Sequence, residues 1–334
     1  MAQHFLLSSA ARSLGMSDIY ALSEDEAWRL MRMARWPETG GEPVCPHCGS
    51  EASWPIQTRR QWRCKACGRT FSITSGTILA DHKLPLRTIL TGIFIYSNAA
   101  KGLSALQLAP DLGVHYRTAF VLAHKLRESL LTHRDETPMR GVVEVDGAYV
   151  GGHIRPANRK EDREDRRLAD KPGKSCVLVL RQRGDEGPER TLTEVVKTET
   201  AADVNDFVAG AAIGGTVVHA DESPAYDSLA AWFLMARVNH SMEYRGKGGE
   251  CTNLAESYFS RLRRMQWGQV HRMGGRHLAL YANEIAWRED TRRLCNGRIF
   301  KDVLHKALGT PTSGFWAGYG RNGVRFVFRP ALAA

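Results

Sequence analysis

Two cysteine pairs, Cys45-Pro-His-Cys48 and Cys64-Lys-Ala-Cys67, stand fifteen residues apart, and each is followed by a glycine, Gly49 and Gly68. This spacing lets two knuckles fold back on one another so that four thiolates meet tetrahedrally around one structural Zn2+. The glycines let the backbone pass close to the sulfurs. A ribbon this short cannot bury enough apolar surface alone, so metal binding supplies its folding free energy. A redox role would need only one Cys-x-x-Cys motif, and disulfides are disfavoured in the cytoplasm. Cys176, Cys251 and Cys295 fall in no motif and read as buried thiols.

Around and between the knuckles, Arg59, Arg60, Arg63, Lys65 and Arg69 interleave with Trp62 and Phe71. Basic side chains on a rigid ribbon suit phosphate contacts. The two aromatics either stack on bases or fill the small core, and the core reading is the better one. The charge of the whole chain points the same way: 46 Lys+Arg against 36 Asp+Glu give +10 over 334 residues. Residues 51–140 carry +7 and 241–334 carry +9, whereas 1–50 carry −2 and 141–240 carry −4. Two basic blocks around an acidic middle suit a chain that grips a polyanion while keeping carboxylates for a separate purpose; a solvated basic surface is the bland alternative. An apolar fraction of 43% excludes a disordered chain. No apolar run approaches the ~20 residues of a membrane span, and the start lacks the longer apolar core of a secretory signal, so a cytoplasmic, nucleoid-associated protein without a membrane partner is expected.

Residues 17–35 have apolar spacing that predicts a helix capped by Ser23 or Asp25. From Lys83 to about Thr132 a helical stretch breaks near Pro110–Gly113. Within it, residues 103–130 read as helix, turn and a second helix that carries His115, Tyr116 and Arg117 at its start. A recognition helix presents its first residues to base edges, so this is a candidate helix-turn-helix; a plain helical hairpin is the alternative. From residue 141 the pattern changes to strands at 141–152, 175–181 and 190–197. A helix capped by Thr200, a strand at 216–221, a helix from about 224 to 234, a strand at 236–240 and a long helix from Thr252 to about Met265 follow. The charge run 159–171 between the first two strands reads as a solvated loop. This order of elements matches a ribonuclease-H-like α/β fold, a mixed sheet flanked by helices.

Three acids stand out in that order. Asp146 interrupts the apolar alternation of its strand, Asp221 ends the strand TVVHAD, and Glu256 lies on the last helix, sharing a face with Asn253, Ser260 and Arg263. A carboxylate in a buried strand is costly unless it is paired or bound to metal. In the expected fold these positions converge and would hold two Mg2+ ions, with Mn2+ a possible substitute, for phosphoryl displacement. Taken singly, each acid also has a bland reading as a turn residue, a helix cap or a surface ion-pair partner.

The ordered set of motifs resembles the zinc-ribbon DDE transposases of bacterial insertion sequences, the group with an ISXO-type transposase domain. The resemblance runs through the Cys45–Thr77 ribbon, Val145 to Gly152 (V-D-G-A-Y-V-G-G), His219 to Tyr226 (H-x-D-x-x-x-x-Y) and Thr252 to Arg264 (T-N-L-A-E-S-Y-F-S-R-L-R-R). It implies Asp146, Asp221 and Glu256 as the catalytic acids and Mg2+ ligands. It implies Arg263 as a DNA contact, with Arg264 beside it. Some relatives carry asparagine as the third ligand, which makes Asn253 an alternative. His219, Tyr226 and His240 are supporting positions that packing alone also explains.

The resemblance further implies a protein that binds its element's ends and a target as double-stranded DNA, hydrolyses phosphodiesters and transfers the 3′-OH strand as a homodimer or larger assembly. The alternatives are a transposase-derived DNA-binding protein without catalysis and a ribonuclease-H-like nuclease. The expected organisation is an N-terminal helical segment (1–40), the zinc ribbon (41–80), a helical DNA-binding region (81–136), the catalytic domain (137–293) and a C-terminal extension (294–334).

Overall fold

The computed structural model describes residues 5–151, 159–161, 174–184, 187–238, 251–316 and 319. The chain divides into two compact units, Met1–Arg134 with Thr291–Phe326, and Asp135–Asp290 with Val327–Ala334. In chain order the first contains α1 (Met16–Tyr20), α2 (Glu24–Arg35), β1 (Ser53–Ile56), β2 (Gln61–Cys64), β3 (Thr70–Ser72), α3 (Leu86–Asn98), α4 (Ala105–Leu112) and α5 (Tyr116–Thr132). The second contains β4 (Val142–Gly151), β5 (Lys174–Gly184), β6 (Gly187–Val196), α6 (Ala201–Ala211), β7 (Val217–Asp221), a 3-10 helix (Pro224–Ala231), β8 (Leu234–Val238), α7 (Asn253–Met265) and α8 (Leu278–Asp290). The chain then returns to the first unit with α9 (Asn296–Gly309).

The single helix expected over residues 17–35 is two. Ser23 accepts from the Glu26 amide and Glu26 reaches back to the Ser23 amide, a reciprocal cap that starts a new helix. β1, β2 and β3 form an antiparallel sheet, and Trp62 on β2 is buried between Trp28 of α2 and Phe71 of β3, with ring centroids 5.6 and 5.8 Å away. Trp36 meets both ribbon rings edge-on. These aromatics are therefore core.

The break at 110–113 is narrower than the sequence suggests. Pro110 and Leu112 are still helical, and the turn is made at Gly113, whose φ of 63° is left-handed. Pro110 costs α4 one amide bond, to the carbonyl of exposed Leu106. α4 and α5 then close over a small apolar core that includes Leu108, Ala109, Ala119 and Ala123. Phe300, Val303 and Leu304 of α9 are buried, and α9 packs on α3 and α5.

In the second unit the sheet order is β6-β5-β4-β7-β8, with β4, β5 and β6 antiparallel and β4, β7 and β8 parallel. β5 is continuously apolar from Cys176 to Leu180 because both faces of that stretch are covered. Cys176, Leu178 and Leu180 join the core shared with α6, whereas Val177 and Val179 join the core shared with α7 and α8. On β4, Val143 and Val145 face α6, while Ala148 and Val150 face α7 and α8. Period-two alternation therefore puts Glu144 and Asp146 on the α7 face. Two elements differ from expectation: residues 224–231 form a 3-10 helix, started by Ser223 and Pro224, and β8 begins at Leu234. Most of the 159–171 charge run lies outside the described residues.

Candidate active site and metal centre

The parallel ladder between β4 and β7 ends at the Glu144↔His219 rung, and Asp146 and Asp221 each stand two residues further on. Val218 and Ala220 of β7 face the α6 core, so His219 and Asp221 project to the α7 face, as Asp146 does. Both acids thus leave the sheet on one side, just past the last rung that ties their strands. α7 covers that side with Ala255, Tyr258, Phe259 and Leu262, leaving Glu256 exposed in its first turn.

The carboxylates influence one another. Burial pushes the Asp146 carboxyl up to about 7, against the opposing hydrogen bond from the Gly147 amide (2.8 Å), and the charges of Asp221, Glu199 and Glu256 push it the same way as burial. Asp221 accepts from the Ser223 amide (2.9 Å), while Arg237 donates to its carbonyl (2.6 Å) and pairs with Asp227.

Glu199, immediately before the Thr200 cap of α6, is the acid that sequence reasoning missed. Tyr226, fully buried, donates its hydroxyl hydrogen to Glu199 Oε1, and the Glu199 amide donates to the Tyr149 hydroxyl (3.1 Å). A Cβ on Gly147 would lie 2.5 Å from Glu199 Oε1. The glycine after Asp146 was the available signal, since glycine inside a strand marks a close approach.

The other expected positions are spread around this face. Nδ1 of buried His219 accepts from the Cys251 amide (3.2 Å). Asn253 is exposed at the first residue of α7. Arg263 and Arg264 are exposed in its last turn, the Arg263 guanidinium 6.0 Å from the Phe259 ring. His240 lies outside the described residues.

In the first unit the four cysteine sulfurs lie within 4.8 Å of one another, with Cys45–Cys67 and Cys48–Cys64 separations of 3.7 and 3.5 Å. A tetrahedron with Zn–S bonds of about 2.3 Å has edges of about 3.8 Å, so the quartet fits Zn2+. Gly49 and Gly68, both at positive φ, donate their amides to the Cys45 and Cys64 carbonyls. The Cys67 amide helps hold the Cys64 thiol down to about 6, while its neighbour Cys48, hydrogen-bonded to Cys64, is pushed up to about 12, so without a metal the pair favours one thiolate rather than two. Among the described residues this quartet is the one group of three or more candidate ligands drawn together within that distance; the acids of the second unit are spaced more widely.

Arg59, Arg60, Arg63, Lys65 and Arg69 are all exposed. Arg60 pairs with Asp25 (2.8 Å), Lys65 lies over the Trp54 ring (5.2 Å) and Arg69 contacts His47 (3.3 Å). His115, Tyr116 and Arg117 are exposed at the start of α5.

A four-cysteine zinc ribbon in one unit and a mixed sheet flanked by helices in the other define a zinc-ribbon α/β protein. Residues 22–70 match the transposase zinc-ribbon domain, and residues 138–290 match the ISXO2-like transposase domain. The chain belongs to the family of transposases with these two domains. A similar protein is an uncharacterized protein in transposable element ISH50 of Halobacterium salinarum, 25% identical over 299 residues, which are 86% of this chain and 98% of that one. The crystal structure of the Mos1 strand transfer complex matches over 65% of this chain and 78% of its own at 14% identity, with a TM-score of 0.25.

Proposed function

We propose that this chain is an active transposase that binds the ends of its own element as double-stranded DNA, hydrolyses a phosphodiester to free a 3′-OH, and joins that hydroxyl to target DNA. The observation that carries the proposal is the placement of Asp146 and Asp221 on one face, each just beyond the last β4–β7 rung, with Glu256 on the helix that covers it. The sheet order and strand directions support a ribonuclease-H-like reading of residues 137–293. That reading sets the site where the parallel β4–β7 ladder stops, beside the carboxyl end of β7.

Asp146, Asp221 and Glu256 would hold two Mg2+, or Mn2+ in their place; Asn253 is an alternative third ligand. When bound, the ions lower the pKa of the attacking oxygen and stabilise charge on the leaving one. The residues suit such ions, with hard oxygen donors and with the charges of Asp221, Glu199 and Glu256 adding to the burial that raises the Asp146 carboxyl to about 7. Tyr226 holds the Glu199 carboxylate, whose charge also acts on Asp146.

Arg263 and Arg264 continue from the same helix toward DNA. Arg59, Arg60, Arg63, Lys65 and Arg69 of the zinc-held ribbon suit phosphate contacts, and His115, Tyr116 and Arg117 of the helix-turn-helix suit base edges. Two ends must meet in one complex, so the working form is a homodimer or larger assembly on DNA. The protein works in the cytoplasm at the nucleoid, in the domains 1–40, 41–80, 81–136, 137–293 and 294–334.

The test uses zinc-loaded protein and a DNA fragment carrying the gene's own flanking ends. Mg2+-dependent cleavage at the element boundary by the wild type, and none by Asp146→Ala or Asp221→Ala, is the expected result. Cleavage by Asp146→Ala at the wild-type rate would refute the assignment.

A further inference from the structure

We infer that Glu144 is a positioning residue that fixes the first turn of α7, and with it Glu256, against the strand that carries Asp146. The inference deepens the active-site reading above and rests on it. Glu144 stands two residues before Asp146 on the same face of β4, and it is fully buried. Its Oε2 accepts from the amides of Leu254 (2.7 Å) and Ala255 (3.3 Å), the second and third residues of α7. Those amides belong to the first turn of a helix, where no intrahelical carbonyl is available to them. Thr252, at the N-cap, does not cap with its own side chain, so a carboxylate from the sheet takes that place.

The opposite oxygen is held too. Glu144 Oε1 accepts from Arg183 Nε (2.8 Å) on β5, and the same guanidinium donates to the Cys251 carbonyl (3.1 Å) and sulfur (2.7 Å) just ahead of the helix. Arg181, paired across the ladder with Glu144, donates to the Leu254 carbonyl and to Glu289 of α8 (3.2 Å). Glu289 in turn pairs with Arg261 further along α7 (2.6 Å). Both polar ends of the Leu254 peptide are therefore bound by the sheet.

Glu256 is the next residue but one, its amide closing the first helical bond to the Thr252 carbonyl (3.0 Å). A strand and a helix have no covalent reason to keep Asp146 and Glu256 in register. The Glu144 carboxylate supplies that link, and an apolar side chain would not. Buried acids that orient ligands typically change metal affinity about 10–100-fold when removed.

The experiment compares wild type, Glu144→Ala, Glu144→Gln, Glu256→Ala and the Glu144→Ala/Glu256→Ala pair as zinc-loaded full-length protein on end DNA. Mn2+ binding is titrated by electron paramagnetic resonance, amide exchange is followed over 252–258, and DNA affinity is measured without Mn2+. Glu144→Ala is expected to weaken Mn2+ binding about tenfold and to speed exchange at Leu254 and Ala255. Its DNA affinity is expected to stay within about twofold, a split that general destabilisation would not give. Glu144→Gln keeps an acceptor for both amides and should restore most of the exchange protection. In the double variant Mn2+ binding should equal that of Glu256→Ala alone.

Mn2+ binding by Glu144→Ala and Glu144→Gln at wild-type strength, while Glu256→Ala has lost it, would overturn this inference and leave the active-site reading intact. Losses that simply multiply in the double variant would overturn it as well. Wild-type binding by Glu256→Ala would overturn the active-site reading itself, and this inference with it.

Discussion

Tyr226, on the 3-10 turn after β7, donates its hydroxyl hydrogen to Glu199, and Glu199 lies so close to Gly147 that a Cβ there would sit 2.5 Å from its Oε1. Three separate segments are thereby tied beside Asp146. Tyr226→Phe removes the donor without changing the packed ring, and a hydrogen bond to a charged group contributes about 1.5–3 kcal/mol. The expected loss in urea denaturation is at that level or below, with a larger relative loss of DNA cleavage. Gly147→Ala must push the Glu199 carboxylate aside and should lower cleavage, whereas Glu199→Ala should make the same substitution nearly silent. An equal effect of Gly147→Ala in both backgrounds would show that the contact is unimportant.

The acids also set a pH dependence. Asp146 and Asp290 are each held at about 7, chiefly by burial, against an ordinary value of 3.8. Such a group takes up a proton on folding between the two values, so its presence costs stability as pH rises through that window. Zinc-loaded protein in Mg2+-free buffer should therefore lose melting temperature from about pH 4 to about pH 7. Asp146→Asn should flatten part of the fall. Mg2+ should raise the melting temperature of the wild type above pH 7 but not that of Asp146→Asn. A wild-type profile that is flat over the window would contradict the burial of these carboxyls.

The ribbon makes its own prediction. Trp62 is buried between Trp28 and Phe71, beside a quartet that zinc would close. Because binding free energy is folding free energy in such small metal modules, chelation or Cys64→Ser should release the zinc and loosen this aromatic stack together. Metal analysis should give one zinc per wild-type chain and less than one in the variant, with a red shift of tryptophan emission. Zinc loss without a change in emission would mean that the stack stands without the metal.

DNA contacts are separable by salt. Arg117, exposed at the start of α5, should contribute base preference, whereas Arg63 on the ribbon should contribute a phosphate contact. Arg63→Ala should weaken binding to all sequences and lower the salt slope by about one, while Arg117→Ala should cost about 1–3 kcal/mol on the element's own ends and less elsewhere. Identical losses on both kinds of DNA would place Arg117 among the phosphate contacts.

Sequence patterns located the cysteine quartet and most elements of the second unit, because ligand spacing and hydrophobic period are local properties. Thr200 caps α6 as expected, and Trp62 and Phe71 are core. What depended on distant partners was hidden. Glu199 looked like an ordinary residue before a cap until Tyr226 and Gly147 came against it. Glu144 looked like one more polar residue in an alternating strand, although it reaches amides more than a hundred residues away. The helix at 296–309 gave no sign that it packs on α3 and α5, since an amphipathic face does not name its partner. Helical spacing continues across the break between α1 and α2, so the period of residues 17–35 does not show it, although the Ser23 cap marks where the second helix begins.

Strand transfer is the measurement that bears most directly on the transposase reading. Zinc-loaded protein, a fragment carrying the gene's own ends and a target plasmid are incubated with and without Mg2+, using wild type, Asp146→Ala, Asp221→Ala and Glu256→Ala. Joined fragment–plasmid products that need Mg2+ and are absent with each variant are the predicted result. Cleaved ends that are never joined would make the protein a nuclease, and tight binding with neither cleavage nor joining would make it a DNA-binding protein; either result contradicts the transposase reading.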